Sequence, residues 1–285
     1  MRCAAAVALA LLPLTCLAAS PGQTAAPPPA DPVTLVRRAV QHRLDAEKTH
    51  KPAQYLIRRI DEHRDTTKLI VETGDGDVAR LVAINGKPVS PDIDKAELAR
   101  LDDLAAHPEL QEHRRKGEQK DRDRVTHILN LLPDALLYQL QGMVPCGAGQ
   151  CYRLSFKPNP KFTPPDLESN ILRGVAGEVW VDQAHERLVR LDAQFISDVD
   201  FGWSILGRLN KGGTVLLKQS DVGDNQWELT GLSLHVTYRI LLVKSGSDQV
   251  TEEMTHYSPV APGLGYRDAI KLLKRYDPST AAYTP

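Results

Sequence analysis

One stretch near the C-terminal end of this 285-residue chain constrains its fold more than any other. It is Glu228–Val243, with the sequence ELTGLSLHVTYRILLV. Every second side chain from Leu232 to Leu242 is apolar or aromatic, and most of the side chains between them are polar. A period of two over this length is typical of a long β-strand with one apolar and one polar face. Such a strand predicts a large antiparallel sheet.

Eight further segments have the composition of strands, so that nine strands are predicted with Gln226–Val243. The eight are Gln54–Arg64, Thr66–Thr73, Asp77–Ile84, Cys151–Lys157, Gly177–Asp182, Arg187–Val199, Thr214–Ser220 and Gln249–Tyr257. Glycine and asparagine accept positive φ, and therefore Gly74-Asp75-Gly76 and Asn85-Gly86 predict tight turns.

The alternation of the longest strand changes phase at Gly231. Trp227 and Leu229 are apolar at odd positions, whereas the apolar residues from Leu232 onward stand at even positions. A slip of one residue at a glycine predicts a β-bulge, which bends the strand. We therefore expect the sheet to be curved.

Two parts of the chain predict helices. Asp31-Pro32 precedes apolar residues at helical spacing from Val33 to Leu44, which predicts an N-capped amphipathic helix. Residues 92–141 are charged and helix-favouring, and we expect Pro133 to break their last helix and Leu136–Gln141 to form a further helical turn. Within this region Gln111–Arg124 alternates basic and acidic residues, which favours a solvated helix surface over a nucleic-acid or lipid-headgroup site.

These elements predict an α+β fold in which a curved antiparallel sheet forms an incomplete β-barrel with covering helices. We expect a single half-barrel domain at 32–285, with the helical insertion at 92–141. The net charge of −1 argues against nucleic acid as a partner, because phosphate binding needs a basic face.

The beginning of the chain predicts export to the periplasm. Residues 1–19 combine Arg2, an apolar run and small residues, as a secretory signal peptide does, and residues 20–31 form a Pro/Ala-rich tether that we expect to be disordered. No transmembrane span is expected in the mature chain. Cys16 leaves outer-membrane lipid anchoring open as an alternative, although Pro13-Leu14-Thr15 before it fits lipidation signals poorly.

Two cysteines, Cys146 and Cys151, lie beyond the predicted signal peptide. In an oxidising compartment a pair this close predicts a local disulfide that fixes a turn. A redox pair or half of a metal site is the alternative, but the spacing differs from CxxC and no second cysteine pair follows.

No catalytic motif stands out in the sequence, and neither a cofactor nor a metal is expected. HExxH, GxSxG and phosphate-loop patterns are absent from the sequence, and His107, His113 and His127 lack the spacing of metal ligands on one helix face. The connector Phe201–Gly213 is apolar and contains Trp203. It either packs as core at the mouth of the barrel or lines the rim of a ligand cavity.

The segments Gly177–Phe195, GEVWVDQAHERLVRLDAQF, and Phe201–Leu242 carry a resemblance to a known family. With the opening helix, this pattern of long strands and a glycine-rich apolar connector resembles the LolA/LolB-like superfamily of periplasmic outer-membrane lipoprotein carriers and sorting proteins. The resemblance implies a half-barrel closed by helices, with a hydrophobic cavity that holds acyl chains. The charged helical insertion and the cysteine pair depart from the carriers.

The leading hypothesis is an exported, non-enzymatic binding or carrier protein for a lipid, a lipoprotein acyl chain or another apolar ligand on the concave face. The alternative is an envelope module that fills its barrel with its own helices and binds another protein or acts as a sensor. The candidate ligand-binding residues are the apolar side chains on one face of the predicted strands and two aromatic residues of the connector. They are Val189, Leu191, Phe195, Phe201, Trp203, Leu234, Val236, Tyr238 and Ile240.

Overall fold

The computed structural model describes residues 31–201, 207–240 and 244–281, which form one antiparallel sheet with helices on both faces. The strands are β1 Ala53–Asp61, β2 Asp65–Val71, β3 Val78–Ile84, β4 Lys87–Pro88, β5 Leu136–Cys146, β6 Gly149–Pro158, β7 Val175–Asp182, β8 Leu188–Phe195, β9 Val199–Phe201, β10 Gly207–Leu209, β11 Thr214–Asp221, β12 Trp227–Ile240 and β13 Lys244–Pro259. The helices are α1 Pro32–Lys48, α2 Pro91–Ala106, α3 Pro108–Ala135 and α4 Tyr266–Arg275, with 3-10 helices at Glu168–Arg173 and Pro278–Ala281.

The sheet has the strand order β4-β3-β2-β1-β13-β12-β11-β8-β7-β6-β5, and β9 and β10 extend it beside β12. Within the described residues the edge strands β4 and β5 do not pair with each other, so the sheet stays open. The predicted fold class is confirmed: the protein is α+β, and its antiparallel sheet is an incomplete barrel covered by helices.

Cross-strand pairing defines two faces of this sheet, because directly paired residues point to the same side. We call inner face the side that carries one apolar row across β6, β7, β8, β11 and β12. The row is Leu154, Val179, Leu191, Leu217 and Leu232.

The buried apolar cluster of β1–β3 lies on the opposite side, which we call the outer face. Arg58 pairs with Glu253, and Glu253 pairs with Gly231, the neighbour of Leu232 on the opposite side of β12. Leu56 lies two residues before Arg58 and therefore shares its face. Each half of the sheet thus builds its main apolar core on a different side.

Different helices cover the two cores. On the inner face, α1 and the end of α3 pack over β5–β8, whereas α2 and α4 pack on β2 and β3 at the outer face. The helices α2 and α3 connect β4 to β5 and so join the two edges of the sheet. Consequently, the predicted helical insertion supplies covers to both faces.

Local signals placed several elements correctly. Asp31 caps α1 by accepting a hydrogen bond from the Thr34 amide at 3.0 Å, as predicted. The bulge at Gly231 is confirmed, because Gly231 pairs with Lys218 and Leu229 pairs with Gln219, which leaves Thr230 without a strand partner in that register.

The predicted end of the helical region is wrong. Helix α3 continues through Pro133 to Ala135, and Leu136–Gln141 belongs to β5 instead of a helical turn. Near a helix end proline removes a single amide hydrogen bond, and this position tolerates it. Leu136, Tyr138 and Leu140 alternate with residues that face the other side, which is the period of a strand.

Pattern reading also missed β5 and the short strands β4, β9 and β10. Each short strand has two or three residues, too few to show a period. The strand β10 belongs to the connector Phe201–Gly213, and it pairs with β9 and β12. This part of the connector is therefore sheet.

Some predictions fall on residues that the structure leaves undescribed. They are the signal peptide at 1–19, residues 20–30 of the tether, the lipid-anchoring alternative at Cys16, and Trp203.

Candidate functional site

The inner face is covered first by an apolar stripe on α1. Leu35, Val36, Ala39 and Val40 are all buried, and they pack against the sheet and α3. They recur at the three- and four-residue spacing that places side chains on one face of a helix. The next turn of this face brings Arg43 to the sheet side.

The end of α3 supplies the second cover. Leu129 and Leu132 are half-buried against the same core, and Ala135 is buried beside them. Between Gln119 and Thr126 every residue is exposed, so this span of α3 passes above the sheet without packing on it. The helix thus packs on the protein mainly through its two ends, and its middle is exposed.

An apolar cavity of about 350 Å³ lies between the two helices and the inner face. Its walls are formed by the following residues of α1, α3 and strands β5–β8, β11 and β12: Val36, Arg43, Val125, Leu129, Leu132, Leu136, Tyr138, Phe156, Val179, Leu188, Val189, Arg190, Leu191, Leu217, Gln219 and Leu229. Most of them are aliphatic or aromatic, as in pockets for small molecules.

Few polar groups reach this cavity. The Tyr138 hydroxyl donates to the Leu132 carbonyl at 3.0 Å, and burial raises the pKa of Tyr138 above its usual value. The Tyr138 side chain is therefore uncharged at neutral pH and forms part of the cavity wall. The arrangement suits the enclosure of an apolar chain and offers no nucleophile with an adjacent base among the wall residues.

Among the predicted ligand-binding residues, Val189 and Leu191 line the cavity. Val189 lies at a bulge, since Leu188 pairs with Val181 and Arg190 pairs with Trp180. The alternation of β8 therefore shifts there, and both Leu188 and Val189 reach the cavity wall.

Phe195, Val236 and Leu234 lie in a separate apolar cluster with Val199 and Leu209. Phe195 is 2% exposed and Val236 is 7% exposed, so both are packed as core. This cluster is on the inner face, but these residues are absent from the wall of the cavity.

The other predicted residues fall into two groups. Tyr238 pairs with Gly246 and is half-buried, and its ring lies over this glycine, where a Cβ would come within 2.8 Å of it. Phe201 and Ile240 belong to β9 and β12, but their side chains lie outside the described part of the chain, as does Trp203.

Sequence reasoning missed the helical half of the wall, from Val36 and Arg43 of α1 to Val125, Leu129 and Leu132 of α3. The amphipathic stripes of both helices were visible in the sequence. What was missing is the knowledge that these stripes face the same side of the sheet.

The predicted disulfide between Cys146 and Cys151 is confirmed, with the two Cα atoms 5.8 Å apart. It closes the turn between β5 and β6 and so ties the edge strand β5 to its neighbour. Asp182 lies close to both sulfurs, but the two sulfurs are bonded to each other, and thiolates for a metal are not present in this state.

A polar junction borders the apolar region where α1 gives way to β1. His50 Nε2 lies 2.8 Å from Glu72 Oε2, and His50 Nδ1 lies 3.2 Å from Glu228 Oε1. The hydrogen bonds to Glu228 and Glu72 raise the pKa of His50 to about 10. The rings of Tyr55 and Tyr257 stack beside this group at 4.7 Å.

Asp77 lies at the start of β3 and faces α3. Burial, together with the nearby Glu118 and Glu72 carboxylates, raises the pKa of this carboxyl to about 7. The Asp77 amide donates to Glu118 at 3.1 Å, so the helix and the hairpin are joined at this point.

Comparison with known proteins adds a likeness in structure. No protein-family model matches the chain, and no curated protein matches it either. The chain is similar to the crystal structure of a domain described as an outer membrane lipoprotein-sorting protein from Vibrio parahaemolyticus. The TM-score is 0.32 and the identity 11%, over 84% of this chain and 100% of that chain. At this level the likeness assigns no function here.

Among the described residues, no helix has both the length and the apolar character needed to cross a bilayer.

Proposed function

We propose that this protein is an exported, non-enzymatic binding or carrier protein that takes a lipid, a lipoprotein acyl chain or another apolar ligand. The ligand would lie in the cavity between α1, α3 and the inner face. The observation that carries the proposal is the apolar wall of this cavity, whose volume is about 350 Å³.

The size and chemistry of the cavity support an apolar ligand. Pockets for small molecules hold roughly 300–1,000 Å³ and have mainly hydrophobic walls. Each square ångström of apolar surface removed from water contributes about 25 cal/mol. A chain enclosed by Leu129, Leu132 and Phe156 would therefore gain most of its binding free energy without specific hydrogen bonds.

The construction of α3 supports an entry route. Val125 lines the cavity and is 54% exposed, in the span of α3 that does not pack on the sheet. A ligand could pass beneath this span while both ends of the helix remain in place. The signal-peptide pattern at 1–19 and the disulfide support a periplasmic location.

Uptake of a neutral apolar dye tests the proposal. Purified, delipidated protein should bind N-phenyl-1-naphthylamine with a rise in fluorescence. Leu217→Trp should weaken binding about tenfold or more, because the larger side chain fills the cavity. Leu216→Trp is the matched control, since Leu216 is also half-buried but points to the outer face. Thermal unfolding checks that both variants fold.

Equal loss of dye binding in both variants, or no binding by the wild type, would contradict the proposal.

A second candidate function is an envelope module whose barrel is filled by its own helices. The observation that favours it is the dense packing of α1 on the inner face, where Val36 is 1% exposed and Ala39 is fully buried. Mass spectrometry of organic extracts separates the two. A co-purifying lipid supports the carrier, whereas a protein free of lipid that also fails to bind the dye supports the self-filled module.

A further inference from the structure

We infer that the cavity takes a single-chain amphiphile with a negatively charged head, and that Arg43 binds this head. The inference rests on the proposed function and gives it a ligand class. The shared chemistry of the head is an anionic oxygen group, a carboxylate or a phosphate.

Arg43 interrupts the apolar stripe of α1 that faces the sheet. Val36 and Val40 lie on the buried face of α1, and Arg43 follows them on that face and lines the cavity. A guanidinium carries five N–H donors in a planar fork that matches carboxylate and phosphate oxygens. At the wall of an apolar cavity such a group selects for an anion.

The other charged residues of the cavity wall also favour an anion over a cation. Aspartate and glutamate are absent from the wall as far as the structure describes it, and the charged residues described there are Arg43 and Arg190. Arg190 pairs with Trp180 across the strands, lies over the Trp180 ring at 5.2 Å and donates to Asp192 at 2.7 Å. The guanidinium of Arg190 thus belongs to the outer face, which leaves Arg43 as the charged wall residue on the side of α1.

Arg43 lies at one end of the cavity together with Gln219. Arg187 donates to the carbonyl of His42, the neighbour of Arg43, so the start of β8 is held against this part of α1. Gln219 follows Lys218, which pairs with Arg190 near the same start of β8.

The opposite end of the cavity is apolar. It is lined by Leu132, Leu136 and Phe156, where α3 passes into β5. The cavity is therefore amphipathic along its length, with a polar end at Arg43 and Gln219. This polarity matches an amphiphile whose head and tail differ in the same way.

The present partner of Arg43 does not prevent this binding. Arg43 Nη1 lies 2.7 Å from Glu47 Oε2, one helical turn further on, and the Glu47 side chain is 43% exposed. Partly exposed ion pairs of this kind contribute little to stability. Arg43 can therefore turn its remaining donors to a ligand while Glu47 stays in solvent.

The volume indicates one chain. About 350 Å³ is close to the lower limit of roughly 300 Å³ for small-molecule pockets, which favours one chain over the two or three chains of a diacyl or triacyl lipid. A single-chain ligand also places one head at the one charged end of the cavity.

Displacement of N-phenyl-1-naphthylamine by four twelve-carbon amphiphiles, all below their micelle concentrations, tests the inference. The ligands are dodecanoate, dodecyl phosphate, methyl dodecanoate and dodecyltrimethylammonium. In the wild type the better anion should bind about tenfold to a hundredfold more tightly than the ester, as expected for a charge-assisted hydrogen bond. Whichever of dodecanoate and dodecyl phosphate binds more tightly identifies the head.

Two variants locate the effect. Arg43→Gln should lower the affinity for the better anion about tenfold or more and that for the ester less than threefold. Arg37→Gln, on an exposed arginine of the same helix that pairs with Asp134, should change neither.

The possible failures are distinct. Binding of the ester or the ammonium as tight as that of both anions, or an anion preference that survives in Arg43→Gln, overturns the inference and leaves the proposed function in place. If neither the dye nor any amphiphile binds, the proposed function fails, and the inference fails with it.

Discussion

Arg80 stands at a strand position where alternation alone would place an apolar residue. In β3 Arg80 lies on the outer face between Val78 and Val82, and Arg80 is 1% exposed. Its guanidinium donates to the carbonyl of Tyr276 at 2.8 Å and pairs with Asp94. The carbonyls at a helix end lack intrahelical partners, and Arg80 satisfies one just beyond α4. Its burial is therefore compensated by partners from distant segments.

Asp77 is the residue for which a pH effect can be stated most directly. Its pKa rises from an ordinary value near 3.8 to about 7 in the folded state, because burial and nearby carboxylates oppose its ionisation. The unfolded chain ionises this group first as the pH rises. The native state therefore loses stability between about pH 4 and pH 7 through this residue, and the loss is complete above pH 7.

We expect Asp77→Asn to be more stable than the wild type above pH 7, by roughly 2 kcal/mol, and to lose this advantage near pH 4. Urea unfolding between pH 4 and pH 9 measures the difference. Glu118→Gln removes a neighbouring carboxylate, so the same Asp77→Asn change made in that background should have a smaller effect. An advantage that is independent of pH would show that Asp77 acts through packing alone.

Helix α3 shows how one element can be docked at two unlike ends. Its first half meets the turn between β2 and β3 through polar groups: Gln111 donates to the Gly76 carbonyl at 2.8 Å, and Arg114 donates to the Asp77 carbonyl at 3.0 Å. Its second half packs through leucines on α1 and the inner face. The predicted solvated surface is therefore present in the middle of the helix, while Gln111 is buried.

The turn that receives α3 depends on Gly76. Its φ is +94°, and a Cβ there would lie 3.0 Å from Gln111 Nε2 and 3.1 Å from both Arg115 Cβ and Glu118 Oε2. Positive φ is unfavourable for residues with a Cβ, and the helix leaves no free space. The turn and the start of α3 are therefore fitted to each other.

We expect Gly76→Ala to lower the free energy of unfolding by about 1–2 kcal/mol, from the backbone cost and the closer contact with α3. Gly74→Ala in the same turn is the matched control, because a Cβ at Gly74 would have no atom within 4 Å and the φ of Gly74 is not positive. Chemical denaturation of both variants measures the difference. Equal effects would mean that the docking of α3 does not depend on this glycine.

At the scale of the whole molecule, one sheet serves two cores on opposite faces. The outer core of β1–β3 is closed by α2 and α4, whereas the inner core of β5–β8 is closed by α1 and the end of α3. Because α3 is held at the β2–β3 turn and at α1, its middle passes above the inner face, where Val125 borders the cavity. The cavity is thus a consequence of how the two halves are joined.

Hydrogen exchange should report this arrangement. In the free protein, amides from 119 to 126 should exchange faster than those from 128 to 132, since every residue of the former span is exposed. Bound dodecanoate or dye should slow exchange in 125–132 and leave 111–118 unchanged. Protection spread evenly along α3 would contradict a ligand site beneath its second half.

The sequence by itself determined the local elements of this protein. Alternation placed the long strands other than β5, the phase change located the bulge at Gly231, Asp31 predicted the start of α1, and the cysteine spacing predicted the disulfide. These features depend on residues that are neighbours in the chain. Where alternation covered only two or three residues, as in β4, β9 and β10, the prediction failed for lack of a period.

Only the tertiary structure decided which face each strand presents to which helix. Alternation gives a strand two faces but does not say what covers either of them, since the covers of β6 and β8 come from α1 and α3, far away in the chain. Val236 and Leu191 are both apolar residues on the inner face of an alternating strand. Val236 is packed in the core, however, whereas Leu191 lines the cavity. Long-range packing separates these outcomes, because the space left between elements depends on how all of them meet.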